Sequence, residues 1–264
     1  MLKKRLIFTL IYSDGFFMQS RNFRLQRVGN IKWLLKNYKF QETSFFIDEL
    51  IILDASRVKK LSNSFLNIVE ELAKECFIPI SVGGGIKSIN HCKKLFNNGA
   101  DKIVLNSILT EDPESVLEIT SYYGGQSVVA SIDVKKVNSD FSPFKFNGSQ
   151  KIDMKIRDYM KHVIKLRVGE IYLNSIDRDG TGFGFDTELL KKLNSSINLP
   201  LIVGGGAGKY QHFIECFKTF NVEAASTANL YNFIGDGLAV TRNKLIENKI
   251  NIPIWGEVFE NENK

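Results

Sequence analysis

The chain has 264 residues, 44 % of them hydrophobic, with a formal charge of +6 and three cysteines. That length suits one (β/α)8 barrel or two small domains, and no stretch holds the roughly 20 uninterrupted apolar residues of a membrane span. The lysines are spread along helical segments without an RNA-binding signature, so the charge points to an anionic small molecule rather than nucleic acid.

The N-terminal run MLKKRLIFTLIYSDG has a basic start and a short apolar core but no small-residue cleavage site. It reads as a first strand at 5–12, closed by Asp14-Gly15, rather than as a signal peptide. Segment 16–30 carries Gln19, Arg21, Asn22, Arg24 and Arg27 and little to fix it in place; it reads as a mobile lid or a basic surface loop. Further strands are predicted at 49–53, 79–82, 102–105, 127–132, 170–174, 200–203 and 222–226. All are short and rich in Ile, Leu and Val, as buried parallel strands are. Helical patterns lie between them, including SNSFLNIVEELAKE, SINHCKKLFNN, DPESVLEIT, DMKIRDYMKHVIKL, DTELLKKLNSS and YQHFIECFKTF. Ser88, Asp112 and Asp186 are expected N-caps, because Ser and Asp accept bonds from free helix amides. KVNSDFSPFKFNGSQ, near 136–150, reads as a small hairpin after the fifth strand. The alternation without a linker predicts an α/β chain, a single (β/α)8 TIM barrel over 1–264.

The strand pattern occurs twice. Gly83-Gly84-Gly85 and Gly204-Gly205-Gly206 each close a strand and follow a strand ending in Asp, at Asp54 and Asp177. Each triplet precedes a strand ending in small polar residues, Asn106-Ser107 and Thr227-Ala228-Asn229. A twofold half-barrel repeat, about 1–122 and 123–250, accounts for this order. Glycines let a backbone approach an anion, and amides at a following helix start point at it. Gly83, Gly84, Gly85, Asn106 and Ser107 therefore form one expected phosphate cradle. Gly204, Gly205, Gly206, Ala228 and Asn229 form the other, and a ligand with a phosphate at each end would span the mouth.

Asp133, in SIDVKK, ends strand five, and Asp177, in SIDRDGTG, ends strand six. Carboxylates at strand C-termini suit acid/base work or hydroxyl recognition. With Asp54 and Thr181 of the DRDGTGFG tract, Asp177 is an expected substrate contact. At the other end of the barrel Arg5, Glu49, Lys102 and Glu170 each begin a strand and point inward. Buried charges need partners, so the four form either an ion-pair plug or a gate on an axial path. His91, His162 and His212 fall on helices away from strand ends, and no metal or cofactor is expected. Cys76, Cys92 and Cys216 have no CxxC spacing and read as unpaired thiols in a reducing cytoplasm.

DGFFMQSRNF, DELIILD, SVGGGI, GADKIVLNS, SIDVKK, SIDRDGT and GGGAGK together resemble the cyclase subunit (HisF) family of imidazole glycerol phosphate synthase, over nearly the whole chain. The resemblance implies a barrel that binds a glutaminase subunit at its N-terminal face and conducts ammonia to a phosphorylated substrate at the C-terminal face. It implies that Arg5, Glu49, Lys102 and Glu170 are the gate, that Asp101 and Gln126 meet the glutaminase, and that Asp133 is a catalytic aspartate, with Asp177 in the active site. One departure is selective. Ile11 stands where the family has its other catalytic aspartate, and Gln19 replaces a lysine of the family's lid.

Three functions follow from this pattern. The first is a divergent paralogue that feeds ammonia to another acceptor, such as a sugar amidotransferase making a surface-sugar precursor. The second is a working histidine-pathway cyclase. The third is a non-catalytic scaffold that activates the glutaminase. A cytoplasmic location and no membrane or nucleic-acid partner are expected throughout.

Overall fold

In a computed structural model, which describes residues 3–57, 60–193 and 197–254, eight parallel strands close on themselves. Strand β1 (Arg5–Ser13) begins the ring. It is followed by an antiparallel hairpin, β2 (Phe16–Arg21) and β3 (Arg24–Gly29). Helices α1 (Ile31–Tyr38) and α2 (Phe40–Thr43) lead into β4 (Glu49–Asp54). Then come α3 (Asn63–Glu75), β5 (Ile80–Gly83), α4 (Ile89–Asn97) and β6 (Lys102–Leu105). Helices α5 (Ile108–Glu111) and α6 (Pro113–Tyr123) precede β7 (Val128–Val137), which continues into β8 (Asp140–Lys145) and β9 (Gln150–Lys151). The chain finishes through α7 (Ile156–Lys165), β10 (Glu170–Ser175), α8 (Thr187–Leu193), β11 (Leu201–Gly204), α9 (Tyr210–Thr219), β12 (Ala224–Thr227) and α10 (Gly237–Glu247).

The parallel pairs run β1–β4–β5–β6–β7–β10–β11–β12 and return to β1, where Arg5 lies opposite Ala224. This is a (β/α)8 TIM barrel. The strands are almost wholly buried because each has one face on the barrel interior and one on the helices. Leu6, Phe8 and Leu10 face the helix layer, whereas Ile7 joins Ile51, Val104, Val129, Tyr172, Ile202 and Ala224 in a belt inside the barrel. No helix among the described residues is long and apolar enough to cross a membrane.

Segment 16–30 is not the loop its composition suggests. It is the β2–β3 hairpin, with Phe17, Met18 and Ser20 buried. Its turn, Asn22-Phe23, has φ of 50° and 62° and lacks the glycine that normally announces such a turn. Asp179 holds it: the Phe23 amide donates to the carboxylate at 3.0 Å, and Asn22 N–H donates to the Asp179 carbonyl at 2.9 Å. The Asn22 side chain donates to the carbonyls of Ile176 and Asp177. Among the expected caps, Asp112 accepts from Ser115 N–H and Asp186 from Leu189 N–H. Ser88 makes no side-chain cap; its carbonyl opens α4 instead. The end of the helix predicted through 194–196, and the chain beyond 254, lie outside the described residues.

Candidate functional site

The C-terminal ends of the strands surround a cavity of about 920 Å³. Three elements of its geometry recur at the two glycine triplets. Gly84 and Gly85 have φ of 110° and 72°, and Gly205 and Gly206 have φ of 84° and 108°. A Cβ on Gly84 would come within 2.3 Å of the Asp54 carbonyl, and one on Gly205 within 2.6 Å of the Ser175 carbonyl. Only glycine allows both the left-handed turn and the contact with the neighbouring strand. In each half a histidine completes the turn: His91 Nδ1 accepts from Lys87 N–H at 3.2 Å, and His212 Nδ1 from Gly208 N–H at 3.1 Å. His91 lines the cavity, contrary to the expectation that the histidines lie away from the rim, because α4 starts at the rim itself.

The two rims then diverge. Gly84, Gly85, Asn106 and Ser107 line the first, together with Arg57, Lys60, Lys87 and His91. Gly205, Gly206, Ala228 and Asn229 line the second; Arg178 stands against Gly206, but no Lys or Arg of this rim is among the described residues that line the cavity. Gly83 and Gly204 sit back in the strands. At the first rim the amides of Ser107 and Ile108 meet no acceptor among the described residues. There the following amides, of Leu109, Thr110 and Glu111, go to the carbonyls of Asn106 and Ser107. At the second rim the Ala228 amide likewise meets no acceptor among the described residues, and the amides after it are taken by side chains. Asn229 N–H donates to Thr227 Oγ1, Leu230 N–H to Gln19 Oε1 at 2.8 Å, and those of Tyr231 and Asn232 to Asn229 Oδ1.

Asp133 stands at the cavity's centre, 8 % exposed, accepting from Asn106 Nδ2 at 3.0 Å. Burial pushes its carboxyl up to about 7, against the pull of the Asn106 hydrogen bond, and the Asp179 charge pushes the same way. That range suits a group that gives and takes protons near neutrality. Lys60 reaches in from the loop after β4, with Asn147 Oδ1 3.3 Å from its Nζ. Burial lowers its ammonium against the attraction of Asp54 and Asp133. Asp54 also lines the cavity, with its carboxylate accepting from the amides of Ser56 and Leu61. Ile11 lines the cavity and offers no polar atom.

Asp177 and Thr181 lie beside the cavity rather than in its lining. The Asp177 carboxylate accepts from Lys136 N–H at 2.7 Å, and the Thr181 hydroxyl donates to the Arg178 carbonyl. The aspartate of this loop that does line the cavity is Asp179, whose carboxyl burial raises. Sequence reading passed over Asp179, Lys60 and Tyr172. Asp179 had a usable signal, its place in the same DRDGTG tract. Lys60 had none, since it is one lysine among many. Tyr172 was concealed in the apolar strand EIYLN. Among the described residues, no group of three His, Cys, Asp or Glu side chains could hold a metal.

Arg5, Glu49, Lys102 and Glu170 meet inside the opposite end of the barrel. Arg5 Nη1 lies 2.7 Å from Glu49, and its other nitrogen pairs with Glu170. Lys102 Nζ lies 3.0 Å from Glu49 and 3.3 Å from Glu170. The cations are 23 % exposed and the carboxylates 1 % and 8 %, so the ring opens outward through its cations. Ser81 donates to the second Glu49 oxygen. Asp101 and Gln126 are exposed at the same face, before β6 and β7, and Asp101 accepts from Ile80 N–H. Above the ring comes the seven-residue belt, none of whose members is more than 3 % exposed.

Glycine-turned rims around a cavity at one end and a closed ring of four paired charges at the other define a (β/α)8 barrel whose two mouths differ in chemistry. The family described as "Histidine biosynthesis protein" matches residues 20–232. "Putative imidazole glycerol phosphate synthase subunit hisF2" of Parasynechococcus marenigrum is 46 % identical over 92 % of this chain and 90 % of its own length. "Imidazole glycerol phosphate synthase subunit HisF" of a Thermotoga species is 34 % identical over 97 % of this chain and all of its own. A second protein described as "Putative imidazole glycerol phosphate synthase subunit hisF2", from Vibrio vulnificus, is 30 % identical over 99 % of this chain and 95 % of its own. The chain belongs to this histidine-biosynthesis family, as a HisF-like member.

Proposed function

We propose that this chain is the synthase-side subunit of a glutamine amidotransferase. It takes ammonia from a separate glutaminase docked around Asp101 and Gln126 and passes it along the barrel axis. The ammonia reaches a phosphorylated acceptor in the C-terminal cavity, or a sugar amidotransferase beyond it, for amidination of a surface-sugar precursor. The observation that carries this reading is a contrast within one molecule. The four-charge ring is intact, with every charge paired, whereas the cavity has Ile11 in place of a carboxylate.

A ring of paired charges suits a small neutral solute. The two cations at the entrance repel ammonium, whereas neutral ammonia carries no charge for them to repel. The belt above is buried and apolar, so ammonia on the axis passes between its side chains. In the cavity, Asp133 supplies one proton-transfer group near neutrality. Cyclisation as the family resemblance frames it uses two such groups, and loss of one lowers rate by about 10²–10⁴.

A genuine cyclase is the second reading, and the raised Asp133 carboxyl favours it. The two part in a histidine auxotroph lacking its cyclase subunit. Our reading predicts no growth without histidine on expression of this chain with its glutaminase. Growth at the rate restored by a HisF control would instead establish the cyclase.

A further inference from the structure

The barrel interior changes character at one residue. Along β10 the inward positions are Glu170 in the charge ring, Tyr172 in the apolar belt and Asn174 at the cavity, because alternate residues of a strand share a face. Of the seven belt residues only Val104 and Tyr172 also line the cavity, and Tyr172 alone brings a polar side-chain atom. We propose that Tyr172 is the positioning residue at the exit of the axial path. Its hydroxyl, with those of Ser226 and Thr9, is the first hydrogen-bonding group that ammonia meets beyond the belt. This rests on the reading above that ammonia travels along the axis.

The ring is seated for this. From β10 it lies over Gly204 of β11, where the absence of a side chain leaves room, and its oxygen accepts from Ser226 Oγ of β12 at 3.0 Å. Strands β10, β11 and β12 are successive neighbours, so the side chain reaches two strands around the barrel wall. Thr9 of β1, the next strand, bears on the same oxygen. Thr9, Tyr172 and Ser226 all line the cavity, and none is more than 3 % exposed. Burial raises the phenol above its ordinary range, against the pull of Ser226 and Thr9, so it keeps its proton at neutral pH.

Ammonia in the belt has left its water behind, and an unpaired polar molecule in apolar surroundings is costly. Its nitrogen has one lone pair and three N–H groups. A hydroxyl answers both, giving a proton to the lone pair and accepting from an N–H. A protonated tyrosine with two further hydroxyls beside it offers both kinds of bond where the belt ends. Asp133 lies one inward position further on, opposite Asn174 in the strand register. Ammonia that leaves the hydroxyls therefore emerges beside the group that handles protons.

The test is a competition between two nitrogen sources in the complex with the glutaminase. The complex receives amide-¹⁵N glutamine, and unlabelled ammonium chloride is raised until the wild-type product carries equal ¹⁴N and ¹⁵N by mass spectrometry. Tyr172→Phe keeps the ring and removes the hydroxyl. It is expected to lower the ¹⁵N:¹⁴N ratio about threefold to tenfold, the weight of one hydrogen bond. Ser226→Ala leaves the phenol without its donor and is expected to lower the ratio by less; it carries the test if the phenylalanine chain is unfolded. A change that only loosens packing lowers product from both sources together and leaves the ratio where it was. A ratio unchanged or raised in Tyr172→Phe, or in Ser226→Ala where that chain stands in for it, overturns the role of Tyr172 and leaves axial delivery intact. Wild-type product that holds only the bath's ¹⁵N content, whatever the ammonium concentration, overturns axial delivery itself and this proposal with it.

Discussion

Gly204 shows how a residue read for one role is required by another. Its place in a glycine triplet marks it as part of a phosphate cradle, yet it lies in β11 with an ordinary strand backbone. What forbids a side chain there is Tyr172. A Cβ on Gly204 would stand 2.6 Å from ring atom Cε2 and 2.7 Å from the phenol oxygen. The ring cannot swing aside freely, because Tyr172 is 3 % exposed and its hydroxyl accepts from Ser226 at 3.0 Å. Gly204→Ala is therefore expected to cost about 1–3 kcal/mol, the usual penalty of overpacking. In a Tyr172→Leu background the same change should cost little. Thermal or denaturant unfolding of the four chains checks this; additive costs would dissociate the two residues. The glycines with positive φ were legible from sequence as turn residues. The need for Gly204 was not, since it depends on a ring reaching across from β10.

Among elements, those with a strong period were legible and the hairpin was not. The eight barrel strands announce themselves as short apolar runs because both faces are buried. Strands β2 and β3 mix buried Phe17 and Met18 with exposed arginines, and their turn needs tertiary bonds from Asp179 to hold Phe23 at φ of 62°. The docking of α10 was equally hidden. Arg242, wholly buried, reaches under the barrel to Asp48, 2.9 Å and 3.1 Å from its oxygens, and also donates to the carbonyls of Phe46 and Pro253. Asp48 in turn accepts from Leu6 N–H on β1. Removing one partner of such a pair leaves a buried charge and costs about 3–5 kcal/mol. Asp48→Ala is expected to lower the melting temperature by roughly 10 °C, at about 2–4 °C per kcal/mol for a chain of this size. A shift within 2 °C, measured by calorimetry, would show that α10 is held by its apolar contacts alone.

At the scale of the molecule, the repeat made the architecture readable. Glu49 and Glu170, Gly84 and Gly205, and His91 and His212 recur at constant spacing, and each pair occupies equivalent places in the two halves. The charged strand starts were readable for the same reason, since an inward charge at a strand's first residue has nowhere to go but toward its counterparts. What the repeat hid is where the halves part. Arg57, Lys60 and Lys87 line the cavity at one rim, and Gln19 takes the Leu230 amide at the other. One end of the barrel keeps every paired charge, and the other has an isoleucine at the first strand. The proposed delivery of ammonia rests on this asymmetry.

The conduit is tested most directly by the origin of the nitrogen it delivers. The complex with the glutaminase is given amide-¹⁵N glutamine in excess unlabelled ammonium, and the ¹⁵N content of its aminated product is read by mass spectrometry. We expect near-complete enrichment with the wild-type chain, and dilution toward the bath ratio with Lys102→Ala, which opens the charge ring. Wild-type product at the bath ratio, or Lys102→Ala product as enriched as wild type, would contradict axial delivery.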